Sequence, residues 1–321
     1  MNIAIVGFGN HAASKIVPAI LENDYNIIAV VSSSNSNKVI NLANRSVPVL
    51  KDLSSLKSLN LDCIYISTPI STHYKLAKES LELGFNVICE KPLSTNFKHS
   101  NELFNIASKQ KLFLFEVNMH MHHHQYRFLE SIYYSPKKYR YLGTKQKVIL
   151  SFCIPHLDAN DFRYDPALGG GAIYDVGYYP VSTMLSLNED LREIFIFKQA
   201  YIGPKGEINK LGNAFFEDSN SLVFEVRWSI GQNYENFCHV IFENGDIYFD
   251  RFFSKPINFD AKTIITTQKK TFKKKSHENH FESMLKKFRD IIFEKKESNL
   301  VEYELLKKRT LNTAKFFDRY V

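Results

Sequence analysis

The first twelve residues restrict this chain more than any other stretch. Ile3-Ala4-Ile5-Val6 is a short apolar run, and Gly7-Phe8-Gly9-Asn10-His11-Ala12 follows it directly before an amphipathic segment. An apolar strand that breaks into G-x-G-x-x-A and then into a helix gives each small residue a purpose. The first glycine permits the tight turn, the second lets backbone amides approach a pyrophosphate, and the alanine lets helix and strand pack closely. Gly7, Phe8, Gly9, Asn10, His11 and Ala12 are therefore candidate dinucleotide contacts, against the plainer reading of an ordinary strand-to-helix turn.

The same rhythm continues to about residue 117. Apolar runs at 27–31, 63–67, 87–89 and 112–117 alternate with amphipathic segments at 12–22, 36–44, 73–83 and 97–109. Such alternation predicts βαβ units and a doubly wound, Rossmann-type parallel sheet with helices on both faces. Beyond residue 120 come longer alternating strands at 139–154, 193–203, 221–229, 235–243 and 247–253, with a glycine-led helix near 171–186 among them. This predicts an α+β domain with a largely antiparallel open sheet. Two helical segments, about 277–296 and 302–318, close the chain. We read residues 1–118 as a dinucleotide-binding domain and 119–321 as a substrate-binding and oligomerisation domain, the last helix packing back on the first domain.

The 321 residues are 44% hydrophobic and 23% charged, which excludes disordered and collagen-like classes and leaves room for two cores. Cys63, Cys89, Cys153 and Cys238 are widely spaced with no C-x-x-C pair, so neither a disulfide nor a structural zinc is expected. The N-terminus has no basic region leading into a long apolar one, and no apolar run reaches membrane-spanning length; we expect a cytoplasmic protein with no membrane partner. The net charge of +7 is concentrated late, in Lys269, Lys270, Lys273, Lys274, Lys275, Lys286 and Lys287, without a nucleic-acid motif. It reads as a solvated basic face, with attraction of an anionic substrate such as a nucleotide-linked sugar as the alternative, and no nucleic-acid partner is expected.

After the second apolar run, the chain offers Ser32-Ser33-Ser34-Asn35 where an NAD-specific protein places an acid for the ribose hydroxyls. Ser32, Ser33 and Lys38 suit a 2′-phosphate instead, so NADP is favoured over NAD, although these residues could equally start the next helix. Thr68, Pro69 and His73 follow the third long apolar run, at the carboxyl edge where open α/β sheets bind ligands. The next run ends in Glu90-Lys91-Pro92, where the proline restricts the lysine before it, and Glu90 and Lys91 join Thr68, Pro69 and His73 as candidate cofactor contacts. Farther on stands Gly169-Gly170-Gly171-Ala172-Ile173-Tyr174-Asp175-Val176-Gly177-Tyr178-Tyr179, whose Asp175 and Tyr179 share a face if helical.

Taken together, the N-terminal fingerprint, the T-P-x-x-x-H run ending at His73, Glu90-Lys91-Pro92, and the helix with Asp175 and Tyr179 resemble the glucose-fructose oxidoreductase, inositol dehydrogenase and MocA (Gfo/Idh/MocA) family over nearly the whole chain. Phe162-Arg163-Tyr164-Asp165-Pro166, and tyrosine rather than histidine at 179, look nearest the glucose-fructose oxidoreductase and dihydrodiol dehydrogenase branch. The resemblance implies an NAD(P)-dependent oxidoreductase that moves hydride between nicotinamide and a secondary alcohol or ketone of a sugar, polyol, cyclic diol or nucleotide-linked sugar. A non-catalytic dinucleotide sensor on the same fold is the alternative, since the family includes such a regulator. By resemblance, a homodimer or homotetramer paired through the open sheet is expected.

Within that reading Tyr179 is the general acid/base, Lys91 the cation that tunes it and binds the reacting oxygen, and Asp175 the orienter of the lysine or of a substrate hydroxyl. The rival reading packs Tyr174, Tyr178 and Tyr179 into a core. Arg163 either clamps substrate or pairs with Asp158, Asp161 or Asp165. Met119-His120-Met121-His122-His123-His124 invites a metal-site reading, and we expect no metal. If strand-like, His120, His122 and His124 would share one face. Met121 and His124 stand where relatives commonly carry arginine and proline, and Ile70 where asparagine is frequent, which implies an altered pocket.

Overall fold

The computed structural model describes residues 1–23, 25–32, 39–42 and 45–321, and the chain divides into two compact units. The first comprises Met1–Asn118 together with Phe281–Tyr320, and the second Met119–His280.

Seven described strands form the sheet of the first unit: β1 (Asn2–Val6), β2 (Asn26–Val31), β3 (Val39–Leu42), β4 (Arg45–Leu50), β5 (Cys63–Ile66), β6 (Asn86–Cys89) and β7 (Leu114–Glu116). Their order is β3-β4-β2-β1-β5-β6-β7, parallel except for β3 against β4. The connections reverse on either side of β1, so the carboxyl ends of β1 and β5 form the switch point at which open α/β sheets bind ligands. A wide π-turn over Ala12–Ile16 runs into α1 (Val17–Glu22), followed by α2 (Ile70–Glu82) and α3 (Phe97–Gln110). In α2 the buried Ile70, His73, Ala77, Ser80 and Leu81 recur at helical spacing, and Asn96 caps α3 by accepting the His99 N–H at 2.9 Å. Val6, Ile64, Ile66 and Val87 meet Ala77, Leu81, Leu103 and Phe104 in one core.

Two local expectations are corrected here. Residues 36–44 do not supply a helix over 39–42, where Val39 and Ile40 pair antiparallel with β4; β-branched neighbours fit a pleated strand better than a helix. The rest of that segment lies outside the described residues, apart from the described strand. The closing helices, α7 (His280–Glu294) and α8 (Glu297–Tyr320), follow the second sheet in the chain but belong, from Phe281 on, to the first unit. The domain boundary read from the sequence had assigned them to the second, with only the last helix returning. Phe288 of α7 stacks on Phe115 of β7 with ring centroids 4.3 Å apart, Tyr25 Oη donates to Leu285 O at 2.7 Å, and Arg289 donates to Asn23 O at 2.8 Å. From α8, Tyr303 receives the Leu114 N–H and Asp318 the Phe97 N–H.

The second unit holds β8 (Lys145–Ile154), β9 (Arg192–Gly203), β10 (Gly206–Glu217), β11 (Val223–Ile230), β12 (Glu235–Phe242), β13 (Gly245–Asp250), β14 (Ala261–Thr267) and β15 (Thr271–Ser276). The order is β15-β14-β13-β12-β8-β11-β10-β9, with β8 and β11 the parallel pair in an otherwise antiparallel sheet. β8, β9, β11, β12 and β13 correspond to strands named from the sequence; β10, β14 and β15 were not among those named, the glycine-interrupted β10 and the Lys-rich β15 carrying little apolar alternation. Helices α4 (His124–Tyr134), α5 (Ala172–Asp175) and α6 (Tyr178–Leu187) complete the unit, and α5 and α6 cover one face of the sheet. On that face Trp228 lies opposite Gly212, and a Cβ at Gly212 would stand 2.1 Å from the indole. The fold is thus a Rossmann-type parallel sheet and a second, largely antiparallel sheet, as expected.

Candidate active site

In the first unit the glycine loop closes on the neighbouring strand exit. Gly7 sits at φ +83°, and a Cβ there would come within 2.5 Å of Thr68 Cγ2 and 2.7 Å of Ser67 O. Only glycine meets both the conformation and the space. A Cβ at Gly9, by contrast, would meet nothing within 4 Å, and Gly9, Asn10 and His11 form an exposed rim above the buried Ala12. This open rim at a strand-to-helix turn fits a dinucleotide pyrophosphate, whose charge the backbone amides and the helix start would hold. Ser32 is half-buried at the exit of β2, its N–H donating to Leu50 O at 3.0 Å; Ser33 and Lys38 lie outside the described residues.

His73 links two loops of this edge. Its ring nitrogens lie 2.8 Å from Pro92 O and 2.9 Å from Thr68 O, so the Thr68-Pro69 turn and the Lys91-Pro92 turn share one imidazole. Both partners are acceptors, and a neutral ring can donate to only one of them. Burial, the largest influence, outweighs the two carbonyls and lowers the His73 pKa. The Lys91-Pro92 peptide is cis, and Lys91 is half-buried.

Glu90 gathers residues that spacing could not connect. Its Oε1 accepts hydrogen bonds from His11 Nε2 at 2.9 Å and from Tyr65 Oη at 2.7 Å. Burial alone would raise the Glu90 pKa, but the charge and hydrogen bond of His11, the Tyr65 hydroxyl and the charge of Lys91 together lower it. For His11 burial works downward, and the Glu90 charge and hydrogen bond overcome it, leaving the imidazole raised. Neighbouring Glu116 is buried and accepts the Leu93 N–H at 2.6 Å, supporting the loop after the lysine. Tyr65 and Glu116 were not read from the sequence, where each is one more residue of an apolar run.

In the second unit the glycine run folds onto the turn before it. Gly170 N–H donates to Asp165 O and Gly171 N–H to Arg163 O, both at 2.9 Å. Arg163 lies over the Phe162 ring and donates from Nε to Asp175 Oδ2 at 2.5 Å and from Nη1 to Asp161 at 3.2 Å. Burial opposes its charge, yet Asp175 and Asp161 raise its pKa further. Of the three acids considered for Arg163, Asp161 forms the pair; Asp175 is an added partner. The backbone stays right-handed helical through Val176 and Gly177, so Asp175 and Tyr179 remain about one turn apart.

Tyr179 is buried, its ring 5.2 Å from His120, 5.3 Å from Phe152 and 6.1 Å from Phe253. His120 Nε2 in turn lies 3.1 Å from Thr183 Oγ1. The histidine run is not strand-like: 119–122 form a 3₁₀ turn, and His123 caps α4 by accepting the Gln125 N–H at 3.1 Å. Burial first, then the nearby Lys255, push the His123 pKa down to about 2, so it stays neutral. His124 is at the surface beside Glu278. Among the described residues no group of three or more His, Cys, Asp or Glu is placed to hold a metal ion. All four cysteines are buried free thiols, and no described helix is long and apolar enough to cross a membrane.

A family model described as "Oxidoreductase family, NAD-binding Rossmann fold" matches residues 1–118, and one for the GFO/IDH/MocA C-terminal domain matches 140–248. Among curated proteins, the chain is 24% identical over 273 residues to dTDP-3,4-didehydro-2,6-dideoxy-alpha-D-glucose 3-reductase of Actinomadura kijaniata, covering 84% of this chain and 80% of that one. A D-xylose 1-dehydrogenase (NADP(+)) of Haloferax volcanii is 26% identical over 187 residues, 57% of this chain and 55% of that one. Among solved structures, KijD10, a 3-ketoreductase from Actinomadura kijaniata in complex with NADP and TDP-benzene, superposes with a TM-score of 0.87 at 20% identity, covering 99% of this chain and 96% of that one.

Proposed function

Because the chain belongs to the Gfo/Idh/MocA family of NAD-binding oxidoreductases, we propose that it is an NADP-dependent reductase or dehydrogenase acting on a ring ketone or secondary alcohol of a sugar, most specifically a nucleotide-linked one. The observation that carries this reading is the gathering of the glycine loop, Thr68-Pro69 and Glu90-Lys91-Pro92 at the carboxyl edge of one parallel sheet. A substrate domain bearing Asp175 and Tyr179 accompanies it. The relatives named for sugar reduction and oxidation, two of them with NADP in their descriptions, support the substrate class and cofactor.

When bound, the nicotinamide supplies or takes the hydride. In the direction of reduction, Tyr179 would donate its phenolic proton to the carbonyl oxygen, and the Lys91 ammonium would stabilise the charge developing there. Asp175, held by Arg163, would receive a neighbouring hydroxyl and fix the ring. The dinucleotide pyrophosphate would rest on the amides after Gly9, with Ser32, Ser33 and Lys38 at the ribose 2′-position. The test is oxidation of NADPH or NADH with a panel of free and nucleotide-linked keto-sugars, followed by absorbance. Turnover on a nucleotide-linked ketone supports the full reading. Tight dinucleotide binding with no turnover on any member of the panel would favour the sensor instead.

The open face of the second sheet suits self-association. Its edge strand exposes Phe195 and Phe197, next to the half-buried Phe215 of β10. We expect a dimer or tetramer by light scattering, and a shift toward monomer with Phe195→Asp.

A further inference from the structure

Glu90 is a carboxylate at the edge where the proposed function puts two phosphates, a placement that ordinary electrostatics opposes. Its side chain is 12% exposed, so water screens it poorly, while His11 is 48% exposed and stands on the rim of the glycine loop. The two are 79 residues apart in sequence and 2.9 Å apart in space. Tyr65, fully buried on β5, donates to the same Glu90 oxygen and fixes the acceptor where His11 reaches it.

We propose that His11 sets the affinity for the dinucleotide by masking Glu90: the imidazolium is the binding-competent form, and Tyr65 positions the carboxylate that holds it. This rests on the dinucleotide reading of the glycine loop. Protonated, His11 cancels the carboxylate charge and adds a cation-bearing rim beside the helix start; neutral, it leaves Glu90 facing the incoming anion. The charged groups that bear on His11 are Glu90, Lys91 and Lys15, and its ring also meets the edge of Phe281 at 5.9 Å. The net effect of these neighbours is to favour protonation above the ordinary histidine value. Bound pyrophosphate would favour it further, which is the linkage the experiment reads. Lys91 and Lys15 act in the opposite direction on His11 but add their own attraction for phosphate.

The experiment measures the Kd of NADH and of NADPH for the whole protein by titration calorimetry between about pH 6 and about pH 8.5. NADH is included because its pyrophosphate keeps a constant charge over that range, whereas the 2′-phosphate of NADPH itself titrates. The expected result is a Kd for NADH that weakens about three- to ten-fold with rising pH, corresponding to a shift of about half to one pKa unit on binding. His11→Gln should bind weakly with little pH dependence, and Glu90→Gln tightly with little pH dependence. The histidine ring resonances of the wild-type protein, which need no variant, should place the His11 midpoint above 6.5, falling in Glu90→Gln. A wild-type Kd for NADH that is flat with pH, or His11→Gln keeping the wild-type slope, overturns the inference while leaving dinucleotide binding intact. No binding of either dinucleotide at any pH overturns the proposed function along with it.

Discussion

Tyr179 is the proposed proton donor and Lys91 the proposed cation at the reacting oxygen, and their replacement separates those roles from folding. Tyr179→Phe keeps the ring among His120, Phe152 and Phe253 and removes only the hydroxyl, so kcat should fall by about 10²- to 10⁴-fold with little change in dinucleotide Kd. Lys91→Met should lower kcat to a similar extent in the same absorbance assay. A different titration belongs to Lys255. It is buried and donates to Phe252 O at 3.0 Å and Phe253 O at 3.4 Å, and burial lowers its pKa to about 7 despite Glu278. Unfolded, the amine keeps its proton to about pH 10. Between these values the unfolded chain holds a proton that the native one lacks, so stability contributed at this site rises with pH through that window, by at most about 1.4 kcal/mol per pH unit. The urea midpoint of wild type should therefore gain on that of Lys255→Met between about pH 7 and about pH 9.

At the scale of elements, what periodicity could reveal was legible, and what required two distant segments to meet was not. Val6, Ile66 and Cys89 end apolar runs, so β1, β5 and β6 and the loops after them could be read directly. The Tyr65–Glu90–His11 cluster could not, because nothing local in an apolar Cys-Ile-Tyr-Ile run tells a phenol with a carboxylate partner from a core aromatic. Likewise Val39-Ile40 looked helical only because the surrounding Ser and Asn residues resemble a cap, whereas the neighbouring β4 offered a ladder. Arg163 and Asp175 were both singled out, but their pairing depends on how the glycines wrap Gly170 and Gly171 onto residues 163–165. Trp228 and Gly212 make a testable contact of the same kind. A methyl at 212 has no room beside the buried indole, which is itself held by Asn209 at 2.8 Å. Gly212→Ala should cost about 1–3 kcal/mol in denaturant unfolding, with no direct effect on dinucleotide Kd.

For the whole molecule, the first compact unit is discontinuous: its sheet and α1–α3 come from the start of the chain, and α7 and α8 from the end. Phe288, Leu285 and Tyr303 fill positions against Phe115, Tyr25 and Leu114 that the first 118 residues cannot fill themselves. Ending the chain at residue 280 should therefore expose β7 and α3, lower the thermal midpoint by at least several degrees and abolish dinucleotide binding, all read in one thermal-shift titration with NADPH. Had the two closing helices belonged to the second unit, the same truncation would spare that binding.

The return of α7 and α8 also has a meaning in time. As the polypeptide leaves the ribosome, the segment that carries the glycine loop is translated before the second unit, yet its packing partners from Phe281 on follow about 160 residues later. The intervening sheet can mature while residues 1–118 still wait, so of the two units the one begun earlier is completed later.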